Sequence, residues 1–172
     1  LPHSIGLFYT ALCQFLGFDR FGEEFKVMGL APYGHPIYVE ELRRVVSVCE
    51  SGLIKLNEQY VISFAGGQSG EVTPMGNLKM DRLYTEKLSD LLNRAPRERT
   101  AEITQDDKDL ARSVQSVFED VALSLVEYAR KLVPSDKLVM AGGCALNGVV
   151  NKRVAIESGF NKIFLCPAAS DD

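Results

Sequence analysis

Lys137-Leu-Val-Met-Ala-Gly-Gly-Cys-Ala-Leu-Asn-Gly-Val-Val-Asn151 says more about this chain than any other segment. Leu138 to Ala141 is an apolar run that predicts a buried strand. Gly142 and Gly143 follow at once, and Ala145 to Glu157 is compatible with a helix. Strand, glycine turn and helix together aim free backbone N–H groups at an anion. A residue without Cβ also lets a phosphate approach the backbone closely. The same letters fit a plain strand-to-helix turn, and this segment alone leaves both readings open.

Outward from it, Gly159 precedes a second predicted strand, 162–166, and then the turn Pro167-Ala-Ala-Ser-Asp171. On the other side, 105–132 carries Leu110, Val114, Val117, Phe118, Val121, Leu125, Tyr128 and Leu132 as one helical stripe. Thr104 and Asp107 have the spacing of a capping box, with Pro134 just past the end. A long helix, then strand, helix and strand, predicts parallel pairing through a right-handed crossover. Ligands in such sheets lie beyond the carboxyl ends of the strands. The Gly142–Gly143 turn and the Pro167–Asp171 turn are therefore expected to face one crevice.

The amino-terminal two thirds is less regular. Ile5, Phe8, Leu12, Phe15 and Leu16 predict a helix over 4–16, with Ser4 as N-cap and Gly17 as stop. A short helix, Glu23–Met28, is predicted within the glycine-rich stretch 18–34. Ile37, Leu42, Val45, Val46 and Cys49 predict a helix over 37–49. Leu53–Leu56 and Tyr60–Phe64 read as a hairpin around Asn57-Glu58-Gln59. Ala65 to Gly76 reads as a loop that lacks the Lys-Ser/Thr ending of a P-loop. Met80, Leu83, Tyr84, Leu88, Leu91 and Leu92 predict a helix over 80–93.

With 172 residues, 46% hydrophobic, the chain is one domain or one lobe of a larger one. Its net charge is −4, no basic stretch is dense enough to suggest a nucleic-acid partner, and Arg94 to Arg99, the nearest to one, reads as a solvated loop. Cys13, Cys49 and Cys166 sit in apolar runs and read as buried thiols, while Cys144 borders the glycine turn. No apolar run approaches the roughly 18 residues of a membrane span, and no signal peptide is visible, so a cytoplasmic location is the default expectation. The chain opens mid-pattern at Leu1-Pro2-His3 and stops at Asp171-Asp172 after a strand and turn, so it is expected to be an excised fragment.

Asp171 follows a strand end, where a carboxylate facing a phosphate loop is well placed for a metal or its water. Three segments then share one pattern: His3-Ser-Ile-Gly-Leu-Phe-Tyr9, Glu24-Phe-Lys-Val-Met-Gly-Leu-Ala-Pro-Tyr-Gly34, and Ala141-Gly-Gly-Cys-Ala-Leu-Asn147 closing with Pro167-Ala-Ala-Ser-Asp171. Their order and content resemble the ATP-using O-carbamoyltransferases of the NodU/CmcH type. Asp109-Leu-Ala-Arg-Ser-Val-Gln115 also fits the pattern, and the match loosens over about 35–105, which looks like a family insertion.

The resemblance implies an α/β fold: one lobe, the second, of an actin-like (ribonuclease H-like) ATPase domain, with a mixed sheet flanked by helices and a helical and hairpin insertion. The other lobe and a carboxy-terminal synthase-like domain lie outside this sequence. Carbamoyl phosphate and ATP form a carbamoyl-adenylate, and the carbamoyl group passes to a hydroxyl of a sugar or natural product. A divalent metal, iron or magnesium, is implied, with Asp171 as the matching ligand. Gly142, Gly143 and Asn147 match the nucleotide loop. Glu24 and Lys26 border the nucleotide and acceptor pocket, and His3 matches the Pro-His-Ser segment, Lys26 and His3 being the candidate catalytic groups. The family's histidine pair is absent, since His3 and His35 are the only histidines and lie too far apart, and so is the amino-terminal phosphate loop. The isolated fragment is therefore expected to be inactive. Two other readings are an actin-like nucleotide-binding module and a small-molecule kinase of the same superfold.

Overall fold

In chain order the elements are helices α1 (Ile5–Phe15), α2 (Glu24–Leu30) and α3 (Val39–Leu42), strands β1 (Val46–Val48), β2 (Ile54–Leu56), β3 (Gly70–Val72) and β4 (Leu78–Met80), helices α4 (Lys87–Leu92) and α5 (Gln105–Leu132), strand β5 (Lys137–Met140), helix α6 (Gly148–Glu157) and strand β6 (Lys162–Leu165). Short 3₁₀ turns, Ala31–Tyr33 and Gly143–Leu146, follow α2 and β5. The computed structural model describes residues 3–50, 52–63, 70–72, 76 and 78–167.

α5 organises the rest. Its 28 residues extend about 42 Å at 1.5 Å per residue. The Thr104 hydroxyl accepts from the Asp107 N–H, and the Asp107 carboxylate accepts from the Thr104 N–H at 2.8 Å, so the expected capping box is complete. Leu110, Ala111, Val114, Val117 and Phe118 are buried along one face. α1 lies against this face and is buried nearly all round, with Phe8, Leu12 and Phe15 fully enclosed. Ser4 caps it through the Gly6 N–H. At its other end Gly17, at φ 78°, lets Gly17 and Phe18 donate back to Gln14 and Cys13. Both predicted termini of this helix hold.

The middle of the chain departs from the expectations. Only Val39–Leu42 of the predicted helix 37–49 is helical, and Val46–Val48 is a strand. Its partner is β2, antiparallel with Val46 opposite Leu56, so β2 does not form the predicted hairpin with 60–64. β-branched Val45, Val46 and Val48 suit a strand, and Gly52, at φ 73° with the Tyr128 ring against it, closes the connection. The predicted loop 65–76 contains β3, which pairs antiparallel with β4; residues 64–69 lie outside the described residues. The predicted helix 80–93 shrinks to Lys87–Leu92. Residues 81–84 are extended because Gln14 on α1 accepts from the Leu83 N–H at 2.8 Å and donates to the Asp81 carbonyl at 3.0 Å, and Val61 bridges Tyr84. Segment 35–105 nevertheless feeds the same core: Leu42, Val45, Leu56, Leu83, Leu88 and Leu92 are all buried.

β5 and β6 pair in parallel around α6, as predicted, with Val139 opposite Phe164. The run Leu138–Ala141 is not the buried strand predicted: Leu138, Met140 and Ile163 are partly buried against the core, whereas Val139 and Phe164 face outward, 69% and 59% exposed, because the strand pair has the core on one side only. The fold is thus α/β with both kinds of strand pairing. Among the described residues, however, the strands form three separate two-stranded sheets rather than one mixed sheet.

Candidate functional site

The turn after β5 is built from both sides. Gly142 takes φ 87°, a conformation that disfavours side chains. Gly143–Leu146 then forms a 3₁₀ turn, so α6 starts at Gly148 rather than at the predicted residue 145. A Cβ added at Gly143 or Gly148 would meet nothing within 4 Å. Neither position has positive φ, so neither backbone strain nor packing within the structure calls for a glycine there.

The inner side of the turn is held by Asn147. This residue caps α6, accepting from the Val150 N–H at 3.1 Å, and it is buried. Its side-chain amide pairs with that of Gln115 on α5: Gln115 Nε2 donates to Asn147 Oδ1 at 3.1 Å, and Asn147 Nδ2 donates to Gln115 Oε1 at 3.0 Å. The Tyr9 hydroxyl on α1 donates to the same Gln115 oxygen at 2.8 Å. Burial raises the Tyr9 pKa well above the usual tyrosine range, so the hydroxyl keeps its proton. Gly6 on α1 lies beside the turn; a Cβ there would be in van der Waals contact with Cys144 Sγ at 3.4 Å.

The other expected site residues are placed as follows. Glu24 accepts from the Thr10 hydroxyl at 2.9 Å, which joins α2 to α1 beside Tyr9. Lys26 is ion-paired with Glu23 at 2.6 Å and lies 5.5 Å from the centre of the Phe18 ring. His3 Nδ1 accepts from the Leu56 N–H at 3.3 Å, in a groove it shares with Arg44, Lys55 and Asn57. Asn147, Gly142 and Gly143 thus share one turn, and no hydrogen bond or ion pair among the described residues joins Lys26 or His3 to it. Asp171 lies outside the described residues, as does most of the Pro167–Asp171 turn expected to share the crevice. Among the described residues no group of three or more His, Cys, Asp or Glu is placed to hold a metal ion.

Several charged groups that the sequence left unassigned do structural work. Arg94 to Arg99 is not a solvated loop. Arg94 pairs with Asp106 at 2.7 Å and with buried Asp107. Arg97 donates to the Leu16 carbonyl at 2.7 Å and the Ala101 carbonyl at 2.6 Å, closing the end of α1. Arg99 grips both oxygens of Glu23, at 2.7 and 2.6 Å. The fork geometry of guanidinium matches a carboxylate in this way. The cysteine reading also changes: Cys13 is buried, but Cys49 is exposed and Cys166 intermediate.

Arg99 above all, helped by Lys26, holds the Glu23 carboxyl near pKa 2, against an ordinary value of 4.5. A depressed folded-state pKa contributes stability above the unfolded value and loses it as pH falls through the folded one. The contribution from Glu23 is therefore complete above about pH 4.5 and vanishes towards pH 2. Glu23→Gln is expected to flatten the acid limb of a plot of unfolding midpoint against pH in that window. An unchanged limb would show that this carboxylate is not linked to folding.

The Lys26–Gly34 signature docks on α5. His35 N–H donates to Asp109 at 2.8 Å, Tyr38 N–H donates to the Ser113 hydroxyl at 3.0 Å, and Gln105 donates to the Tyr33 carbonyl at 3.0 Å. The His35 N–H is the main reason that the Asp109 carboxyl lies below its ordinary pKa. Asp109 and Gln115 sit on the same helix, so two of the sequence motifs meet on the third. A model of the carbamoyltransferase N-terminus matches residues 1–172.

The chain belongs to the carbamoyltransferase family. It is 35% identical over 171 residues to an uncharacterized protein of Synechocystis sp., which covers 99% of this chain and 26% of that protein. It is 30% identical to the nodulation protein NolO of Bradyrhizobium diazoefficiens, over 98% of this chain and 26% of NolO. To NolNO of Sinorhizobium fredii it is 29% identical, over 98% of this chain and 21% of that protein. The chain therefore spans about a quarter of the length of these relatives. Among the described residues no helix is long and apolar enough to cross a membrane.

Proposed function

We propose that this chain is one lobe, the second, of the actin-like ATPase domain of an ATP-dependent O-carbamoyltransferase. In this reading water releases phosphate from carbamoyl phosphate, the resulting carbamate oxygen bonds to the α-phosphorus of ATP as pyrophosphate leaves, and a hydroxyl of a sugar or natural product accepts the carbamoyl group from the carbamoyl-adenylate so formed. The acceptor oxygen bonds to the carbamoyl carbon while the bond from that carbon to the AMP oxygen breaks. AMP leaves with the electron pair, and the hydroxyl proton is released.

The observation that carries the reading is the Gly142–Asn147 turn, anchored inside by a buried amide pair and bare outside at Gly143 and Gly148. A phosphate would meet backbone N–H groups there with no side chain on Gly143 or Gly148 to hold it off. Glu24 and Lys26 are assigned to the pocket border, and Lys26 and His3 to catalysis, on the family pattern alone. Lys26 would have to exchange Glu23 for a ligand oxygen. A divalent metal, iron or magnesium, would neutralise charge on the phosphates when bound; its matching ligand, Asp171, lies outside the described residues, and no step is assigned to it. A cytoplasmic setting agrees with these soluble substrates.

The test is made on the intact protein. Incubation with ATP, carbamoyl phosphate and a panel of sugar acceptors should give carbamoylated product by mass spectrometry; phosphorylated product would favour a kinase. Gly143→Asp brings a carboxylate towards the phosphates. At an effective dielectric constant of 20 the repulsion reaches about 4 kcal/mol at 4 Å. Allowing for side-chain escape, ATP affinity should fall about 30-fold, or about 2 kcal/mol. Unaltered affinity in Gly143→Asp would remove the turn from the nucleotide site.

A further inference from the structure

Gln115 has no exposed surface. Its neighbours one turn away on α5, Ala111 and Phe118, are both buried apolar residues. Burying an amide costs free energy unless its hydrogen bonds are replaced. Here they are replaced by Tyr9 and Asn147, two residues more than a hundred positions apart in sequence that meet on this one side chain.

The turn has internal bonds as well: Ala145 N–H donates to Gly142 O at 2.9 Å, Asn147 N–H to Cys144 O at 3.2 Å, and Asn151 Nδ2 to Ala145 O at 2.7 Å. These bonds shape the turn but do not say where it sits relative to α1 and α5. Cys144 and buried Ala145 pack the turn against the core, and the side-chain hydrogen bonds that tie it to α5 run between Asn147 and Gln115. Asn147 Oδ1 also caps α6, so one oxygen ties together the turn, the helix start and α5.

We propose that Gln115 is a positioning residue for the nucleotide. By holding Asn147 it sets the height and tilt of the Gly142–Leu146 backbone against the phosphates. Tyr9 holds Gln115 in the rotamer that does so. The Tyr9 hydroxyl stays protonated because it is buried, so this donor persists across the working pH range. The role rests on the nucleotide-turn reading above, and Gly143→Asp separates failure of one from failure of the other.

The experiment measures magnesium-ATP affinity of the intact protein by calorimetry, with the unfolding midpoint of each variant alongside. Gln115→Met keeps volume and removes all three hydrogen bonds; it should weaken ATP about 10-fold. Gln115→Glu presents one donor and one acceptor when protonated. Burial favours that form, as do the carboxylates of Glu24 and Glu119, the charged groups acting on this site from α2 and α5. It should bind ATP within about threefold of the unaltered protein, at any midpoint. Wild-type affinity in Gln115→Met, with Gly143→Asp impaired, overturns the positioning role and leaves the nucleotide site standing. Wild-type affinity in both overturns both. Equal weakening in Gln115→Met and Gln115→Glu shows that the hydrogen bonds are not the cause and also overturns it. If Gln115→Met does not fold, Tyr9→Phe decides: it deletes one oxygen and should weaken ATP about threefold, and no change overturns the role.

Discussion

Gly34→Ala is expected to lower the unfolding midpoint of the intact protein by roughly 10 °C. The reason is space. Gly34 has φ −119° and ψ 174°, an extended conformation open to any residue. A Cβ there would overlap the Lys108 carbonyl and come within 2.6 Å of the Asp109 nitrogen. Both are backbone atoms inside a capped helix and have nowhere to go. Relief would have to come from the Ala31–Tyr33 turn, which would lift away and release the His35–Asp109 and Tyr38–Ser113 hydrogen bonds. Overpacking typically costs about 1–3 kcal/mol, and this case lies at the upper end; roughly 2–4 °C per kcal/mol gives the shift. Gly29→Ala is the control. Gly29 lies inside α2 with nothing within 4 Å of an added Cβ, so better helix propensity should raise stability by up to about 1 kcal/mol. Similar midpoints for the two variants would show that the close approach to α5 is not real.

Asp107→Ala is expected to cost about 3 kcal/mol in urea unfolding. The carboxylate closes the α5 capping box and faces Arg94 with only 2% of its side chain exposed. Burial works against its ionisation, but the Thr104 N–H and Arg94 outweigh it and the pKa lies below the ordinary value. Removing the carboxylate loses the cap, worth about 1 kcal/mol, and leaves a guanidinium only 13% exposed with less to bind. Breaking a buried pair outright costs roughly 3–5 kcal/mol; Arg94 retains Asp106 at 2.7 Å, which softens the loss. Asp107→Asn keeps an acceptor for Thr104 and should cost about half as much. A loss under about 1 kcal/mol for Asp107→Ala would mean that the pair is solvated in reality.

What the sequence made legible was local. The α5 stripe as far as Val121, beyond which Leu125 and Tyr128 are half-buried and Leu132 is exposed, its Thr104–Asp107 cap, the Ser4 and Gly17 ends of α1, and the strand–turn–helix–strand run from 137 to 165 depend on residues within a few positions of one another. What it hid was non-local. Ile37 to Cys49 has helical spacing, yet Val46 becomes a strand because Leu56 lies opposite it. Residues 81–84 stay extended because a glutamine on α1 takes up their backbone groups. The arginines at 94, 97 and 99 read as solvated because their partners, Asp107, the Leu16 carbonyl and Glu23, are far from them in sequence or on another element. At the site, Gly142, Gly143 and Asn147 stood out as a contiguous motif. Gln115 lies 32 positions from Asn147, and no spacing rule links them; the available hint was an amide on the inner side of an apolar helix.

α5 carries a consequence of its own. α1, α2, α3, α6 and β1 all lean on it, so a residue on its inner face answers to several neighbours at once. Variation there cannot be absorbed by one compensating change, whereas the end of the helix, exposed at 127 and 129–132, is free to drift. The molecule is built as a spine with ribs, and its tolerance to mutation should be graded along that spine, strict from Asp107 to Leu123, where the buried residues lie on every side, and lenient over the exposed last turn.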